Sequence, residues 1–226
     1  PKTPKPQPFS IIILFYSIRY YILTNMISPD FRNSQPVDFK GPAQAFIEKN
    51  HGTELWLALQ PSILELENIR KELANASVYK CDTEQLHKFK ELFGKNYCNS
   101  MLLNKYFSFG PGAKQMNLKF IWFDSFSTDR VESYSAVFDA LSSKFNYGVC
   151  LSRIACYMSL EGDGIKHACK YMQQAAWIFE TLKEQVSQLK PGETSPDFTS
   201  ESLSTLSNLM LAQAQYLFYK LASDKK

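Results

Sequence analysis

The chain has 226 residues, 45% of them hydrophobic, and it contains only 9 glycines. This is enough apolar material for one buried core, and long periodic stretches with little glycine favour helices over a β-sandwich. The formal charge of +3 is small, and lysines and glutamates alternate along the chain. A nucleic acid or a strongly anionic membrane surface is therefore not the expected partner.

Residues 1–25 are expected to lie outside the folded domain. Lys2 and Lys5 precede an apolar run at residues 9–18. A signal peptide has the same order, with basic residues before an apolar stretch. No small-residue cleavage site follows the run, and it is far shorter than the roughly 20 residues that span a bilayer. Met26 is a candidate for the natural start of the chain.

Apolar periodicity predicts helices in the first half of the chain. After a candidate strand at residues 37–39, Pro42 suits the first turn of a short helix. A longer helix follows, which Pro61 should kink or restart, and Asp82 or Thr83 can cap the next one. The apolar stripes of these two longer helices contain Leu55, Leu59, Ile63, Leu66, Ile69 and Leu73, and then Leu86, Phe89, Phe93 and Tyr97.

One strand and three long helices are predicted for the second half. Residues 118–122 alternate in the manner of a strand, with Leu118, Phe120 and Trp122 on one face. Helices are then expected from about residue 133 to 158, after Asp163 as a possible cap, and from about residue 197 to 223. Long helices with short links pack as antiparallel neighbours, in a bundle or in a solenoid.

Catalytic and metal-binding patterns are weak in this sequence. The five cysteines are odd in number and fit no disulfide framework, so free thiols in a reducing compartment are expected. Cys150 with Arg153 is the best case for an enzyme nucleophile, but both should lie on one helix, with the thiol buried. His167 and Cys169 lack the second pair of ligands that a structural zinc site needs. No cofactor and no metal are expected.

Four stretches occur in the same order and spacing as in a known family. They are Phe120-Ile121-Trp122-Phe123-Asp124-Ser125-Phe126, Phe145-Asn146 with Leu151-Ser152-Arg153-Ile154-Ala155, Ala175-Ala176-Trp177-Ile178-Phe179 with Leu182-Lys183-Glu184, and Leu209-Met210-Leu211-Ala212-Gln213-Ala214-Gln215. These resemble motifs of the BRO-one domain family, over residues 26–226. Lys144 stands where the family usually has an apolar residue, and Tyr216 stands where it usually has glutamate.

The resemblance implies a mainly α fold, an elongated and curved helical array with tetratricopeptide-like core helices and a small N-terminal β-sheet. It also implies that the family domain continues with further helices beyond residue 226. Family members are non-enzymatic cytosolic adaptors that are recruited to endosomes. They bind the C-terminal amphipathic helix of an ESCRT-III subunit, a charged multivesicular body protein, during multivesicular body formation.

Three residues are predicted to bind that partner helix. The resemblance places Phe218 on the family's aromatic patch residue and Lys166 on a lysine of the same groove. Leu211 joins Phe218 in a second apolar row of the last helix, about 80° around the axis from the obvious core stripe. Without the resemblance, contact with another neighbouring helix is the favoured interpretation of such a row.

Two alternative functions stay open at this level. A Rho-binding scaffold or an ambient-pH signalling protein can carry the same domain, and sequence beyond residue 226 would distinguish them. An enzyme that uses Cys150 is the other alternative. It would require a reactive thiolate with a low pKa, which a thiol titration would detect.

Overall fold

The fold is mainly helical. The computed structural model describes residues 26–75 and 81–223, and the predictions for residues 1–25 lie outside this range. The described residues form helices α1 (Lys40–His51), α2 (Thr53–Ala74), α3 (Thr83–Tyr106), α4 (Ala136–Tyr157), α5 (Gly162–Gln185) and α6 (Ser200–Ser223), and strands β1 (Phe120–Phe123) and β2 (Arg130–Ser133). The prediction of a helical array with one small sheet is confirmed.

Helices α3 to α6 pack one after another as antiparallel neighbours. The Asn96 side chain on α3 donates a hydrogen bond to Ser143 on α4. Ser100, one turn after Asn96 on α3, donates to Asp139, which lies one turn before Ser143 on α4. At the next interface Gly148 brings the α4 backbone against α5, where an added Cβ would lie 3.0 Å from Ile178 Cγ2. Glycine therefore sets how closely these two helices approach.

Of the two N-cap residues predicted for these helices, one is confirmed and the other is wrong. Asp82 caps α3, because its carboxylate accepts from the Gln85 amide while the Gln85 side chain accepts from the Asp82 amide. The Asp163 cap is wrong, since Glu161 occupies the N-cap position of α5 and Asp163 lies in the first turn. A first-turn carboxylate still suits the positive end of the helix dipole.

Helix α2 runs through Pro61 without a restart, so that part of the prediction is wrong. A proline in a helix removes one backbone hydrogen bond. Pro61 lies on the exposed side of α2. Water can therefore donate a hydrogen bond to the carbonyl that has lost its amide donor. Trp56 before it and Ile63 after it are both buried, and this packing holds the two halves of the helix together.

The predicted strand at residues 37–39 is also wrong. The chain pairs with β1 a few residues earlier, where Phe123 donates its amide to the Asn33 carbonyl at 2.8 Å and Gln35 donates to Ile121. Val37 and Phe39 point into the core instead. Strands β1 and β2 form an antiparallel pair, and Leu118, Phe120 and Trp122, which were predicted to share one face, are all buried.

The N-terminal segment is fastened to the helical array by two side-chain amides. Asn146 on α4 exchanges two hydrogen bonds of 2.8 Å with the backbone of Arg32. Gln213 on α6 likewise exchanges two hydrogen bonds, of 2.5 and 3.0 Å, with the backbone of Ile27. Both amides belong to the motif stretches, so part of the family signature encodes this attachment. It fixes α6 relative to the rest of the fold.

None of the helices within residues 26–75 and 81–223 combines the length and the apolar character needed to cross a lipid bilayer.

Candidate protein-binding surface on helices α5 and α6

Helix α6 carries two apolar rows with different environments. The predicted core row is buried at Leu203, Leu206, Met210, Ala214 and Leu217, and Leu221 is half-buried. In the second row the side chains of Leu211 and Phe218 are 42% and 67% exposed. The second row therefore does not pack on a neighbouring helix within the described residues. Tyr219, 62% exposed, widens this surface, and the helical spacing of the core stripe did not single it out.

Lys166 lies in the first turns of α5, and its position depends on a tight turn after α4. Gly164 lies against the Ser159 carbonyl so closely that an added Cβ would come within 2.4 Å of the oxygen. The Lys166 ammonium donates to Asp163 at 2.6 Å, and both side chains are exposed. Lys166 lowers the pKa of the Asp163 carboxyl by this hydrogen bond. An exposed pair of this kind can exchange its carboxylate for one from a partner.

The packing register of α5 and α6 places Lys166 and Phe218 at the same level. Ser207 donates to the Ala176 carbonyl at 3.1 Å, and the Cys169 thiol donates to the Ala214 carbonyl at 3.4 Å. Continued to the N-terminus of α5, this antiparallel register brings Lys166 opposite residues 217–218. Leu211 lies seven residues before Phe218, about 10 Å along the helix axis. We call the side chains of Leu211, Phe218, Tyr219 and Lys166 the α5–α6 surface.

Cys150 does not have the environment of a nucleophile. Its side chain is fully buried in α4, and burial raises the pKa of the thiol. Arg153 is turned toward the N-terminal segment, where it pairs with Asp30 at 2.8 Å and lies over the Phe31 ring. Cys150 and Arg153 thus lie on the same helix, and the thiol is buried, as predicted. This arrangement lacks the low-pKa thiolate that the enzyme alternative requires.

His167 and Cys169, the pair closest to a metal-ligand pattern in the sequence, both lie on α5. His167 is exposed and Cys169 is half-buried against α6. Across residues 26–75 and 81–223, no three histidine, cysteine or acidic side chains are grouped as metal ligands.

Two residues outside the predicted set form a second surface feature. Trp177 on α5 is 62% exposed. The Lys144 ammonium on α4 lies 5.8 Å from the centroid of its ring. The sequence offered one signal for this pair, since Lys144 departs from the apolar residue that is usual in the resembled family.

Comparison with known proteins agrees with the resemblance. Mouse Rhophilin-1 is 27% identical over 196 residues, 86% of this chain and 28% of its own length. ALG-2 interacting protein X of Dictyostelium discoideum is 32% identical over 199 residues, 88% of this chain and 24% of its own. The chain thus spans about a quarter of the length of these curated relatives.

A solved structure extends the match to three dimensions. The ALIX BRO1 CHMP4C complex superposes with a TM-score of 0.73 and 26% identity over 89% of this chain and 58% of that chain. The family model described as the BRO1-like domain matches residues 26–226, which include every helix and strand described above. The chain therefore belongs to the BRO1-like domain family.

Proposed function

We propose that this chain is part of a non-enzymatic adaptor that binds the C-terminal amphipathic helix of an ESCRT-III subunit through the α5–α6 surface. The observation that carries the proposal is the exposed row of Leu211 and Phe218 at the level of Lys166. Support comes from the structural match to an ALIX BRO1 domain in complex with CHMP4C. Recruitment to endosomes would follow from that partner, and the buried Cys150 thiol supports a binding role over a catalytic one.

The expected mode of binding is a helix in an apolar groove, with side chains at helical spacing as anchors. Burial of the Phe218 ring contributes on the order of 2 kcal/mol, or roughly thirtyfold in affinity. An exposed ion pair with Lys166 adds less, up to about 1 kcal/mol, and weakens as salt is added. The resemblance assigns further patch residues to a helix after α6. We therefore expect a domain that includes this helix to bind more tightly than the present chain.

The test is a titration of a labelled CHMP4C C-terminal peptide, followed by fluorescence anisotropy. Phe218→Asp should reduce the affinity at least thirtyfold, because it removes the ring and adds a charge that must be desolvated. Lys166→Ala should reduce it a few-fold at low salt and less at high salt. Circular dichroism should show an unchanged helical spectrum for both variants.

Phe126→Asp is the matched control, since Phe126 is also exposed but lies between the two strands. Its affinity should equal that of the wild type. Unchanged affinity in Phe218→Asp would remove Phe218 from the site. Failure of both this chain and the longer domain to bind the peptide would refute the proposed function.

A Rho-binding scaffold is the second candidate, favoured by the 27% identity to Rhophilin-1. It is distinguished by the same anisotropy assay with a labelled GTP-bound Rho protein in place of the peptide. Binding of Rho without binding of the CHMP4C peptide would select this alternative over the first.

A further inference from the structure

A second groove crosses helices α3, α4 and α5. We call it the Trp177 groove. Its volume is about 580 Å³, within the range of roughly 300–1,000 Å³ usual for ligand sites. Its lining includes Gly94, Tyr97, Tyr147 and Trp177 together with the side chain of Lys144. None of these residues belongs to the α5–α6 surface.

Trp177 is the unusual member of this lining. The other two tryptophans, Trp56 and Trp122, are buried at 3% and 0% exposure, whereas Trp177 is 62% exposed. Its neighbours Ile178 and Phe179 form the core face of α5, so Trp177 contributes little to the core. A large aromatic ring that remains exposed at the edge of a groove is the type of side chain that anchors protein partners.

Lys144 places a positive charge in this groove, and it forms no ion pair within the part of the chain that the structure describes. Its ammonium donates to Gln185 Oε1 at 2.8 Å and lies 5.7 Å from the Tyr97 ring centroid and 5.8 Å from that of Trp177. Among the described residues no carboxylate lies within the 4.0 Å of an ion pair. Burial lowers the pKa of Lys144, and the charge of Glu184 partly opposes this effect. A desolvated cation with one neutral partner gains free energy when a carboxylate reaches it.

The other charged residues that line the groove also have a net positive charge. Lys90 and Lys95 lie on the α3 side, together with a single carboxylate, Glu91. Glu91 already pairs with Lys90 at 3.2 Å. The groove therefore presents an aromatic wall beside a surplus of positive charge, which complements an anionic ligand with an apolar side chain.

We infer that the Trp177 groove binds an acidic peptide segment of another protein, with a carboxylate on Lys144 and a neighbouring apolar side chain on the Trp177 ring. The inference does not depend on the ESCRT-III proposal, because it uses different helices and different side chains. It gives Lys144 a function in a position where the resembled family usually has an apolar residue.

The experiment is a selection of random displayed peptides on this chain, with counter-selection on the Trp177→Ala variant. Enriched sequences should contain Asp or Glu next to an aromatic or branched side chain. Binding of an enriched synthetic peptide is then measured by acrylamide quenching. Trp177 dominates that signal, since Trp56 and Trp122 are buried. Lys144→Met should weaken binding at least tenfold, and added salt should weaken binding more in the wild type than in Lys144→Met, which keeps Lys90 and Lys95.

Two control variants separate this site from the other surface. Tyr157→Ala removes an exposed ring at the end of α4, and Phe218→Asp alters the α5–α6 surface. Both should bind the selected peptide like the wild type. The inference is overturned if no sequence is enriched over the counter-selection, if the enriched sequences lack acidic residues, or if Lys144→Met binds normally. Loss of binding in Phe218→Asp would also overturn it, by placing the peptide on the α5–α6 surface.

Discussion

At the scale of single residues, Lys144 shows how a binding side chain can conflict with stability. Its neighbours on α4 are almost all buried, and an apolar side chain would fit this environment. The lysine instead keeps its ammonium between two aromatic rings, where cation–π contacts and the Gln185 amide replace only part of its hydration. A residue that is unfavourable for folding and still present is a candidate for function.

The lowered pKa of Lys144 predicts a pH dependence of stability. Below the folded-state pKa the side chain is charged in both states. Between that value and the ordinary value of about 10.4, the unfolded chain binds more protons than the folded chain, so stability rises with pH. Relative to Lys144→Met, the wild type should therefore gain free energy of unfolding as pH rises toward about 10. Urea unfolding of both proteins at pH 7 and pH 10 measures this difference. A pH-independent difference would mean that Lys144 is fully hydrated in the folded chain.

At the scale of elements, two glycines in helices have opposite structural roles. An added Cβ at Gly148 would meet Ile178 at 3.0 Å and the Phe179 ring at 3.2 Å. An added Cβ at Gly94 would meet the Tyr147 ring at 3.5 Å, an ordinary contact. A side chain at Gly148 would therefore crowd the α4–α5 contact, whereas one at Gly94 would fit and would only fill space in the Trp177 groove.

This contrast predicts different effects of the same substitution. Gly94→Ala should raise the free energy of unfolding by roughly 0.5–1 kcal/mol, because alanine loses less backbone entropy in a helix. Gly148→Ala has the same gain in backbone entropy, but its added methyl group crowds the contact between α4 and α5. The Gly148→Ala variant should therefore be about 1–3 kcal/mol less stable than Gly94→Ala. Urea denaturation of the two variants tests this order. Equal stability would show that α5 shifts without cost.

At the scale of the whole molecule, Asp139 joins four elements inside the core. Its carboxylate accepts from Asn96 and Ser100 on α3 at 2.9 and 2.8 Å and from the Trp122 indole on β1 at 2.8 Å. The Arg70 guanidinium on α2 lies 3.5 Å away. All these side chains are buried. One acidic residue of α4 thus holds the sheet and two preceding helices in place.

Asp139→Ala should destabilise the whole fold. It leaves the buried Arg70 charge and three donors without their acceptor, and the loss of one partner of a buried ion pair costs about 3–5 kcal/mol. Thermal and urea unfolding should show one cooperative transition at a lower midpoint. Asp129→Ala, at an exposed position between the strands, is the control and should change stability by less than about 0.5 kcal/mol. A loss below about 1 kcal/mol in Asp139→Ala would mean that water replaces the carboxylate.

The sequence alone determined the mainly helical class, the capping of α3 by Asp82, the alternation at Leu118 to Trp122 and the buried position of Cys150. Each depends on residues close together along the chain, where periodicity, propensity and local hydrogen bonds act. It also separated the two rows of α6, since helical spacing is a local property. Whether the row of Leu211 and Phe218 is exposed was decided only by the tertiary packing of α5 and α6.

Tertiary structure alone also decided the features that depend on distant residues. The Asp139 network, the attachment of residues 27 and 32 by Gln213 and Asn146, and the Trp177 groove each combine side chains that are far apart in sequence. No local pattern records such contacts. The continuity of α2 through Pro61 and the absence of a strand at residues 37–39 have the same origin, because burial of apolar side chains against the core outweighs a local preference of a few kcal/mol or less.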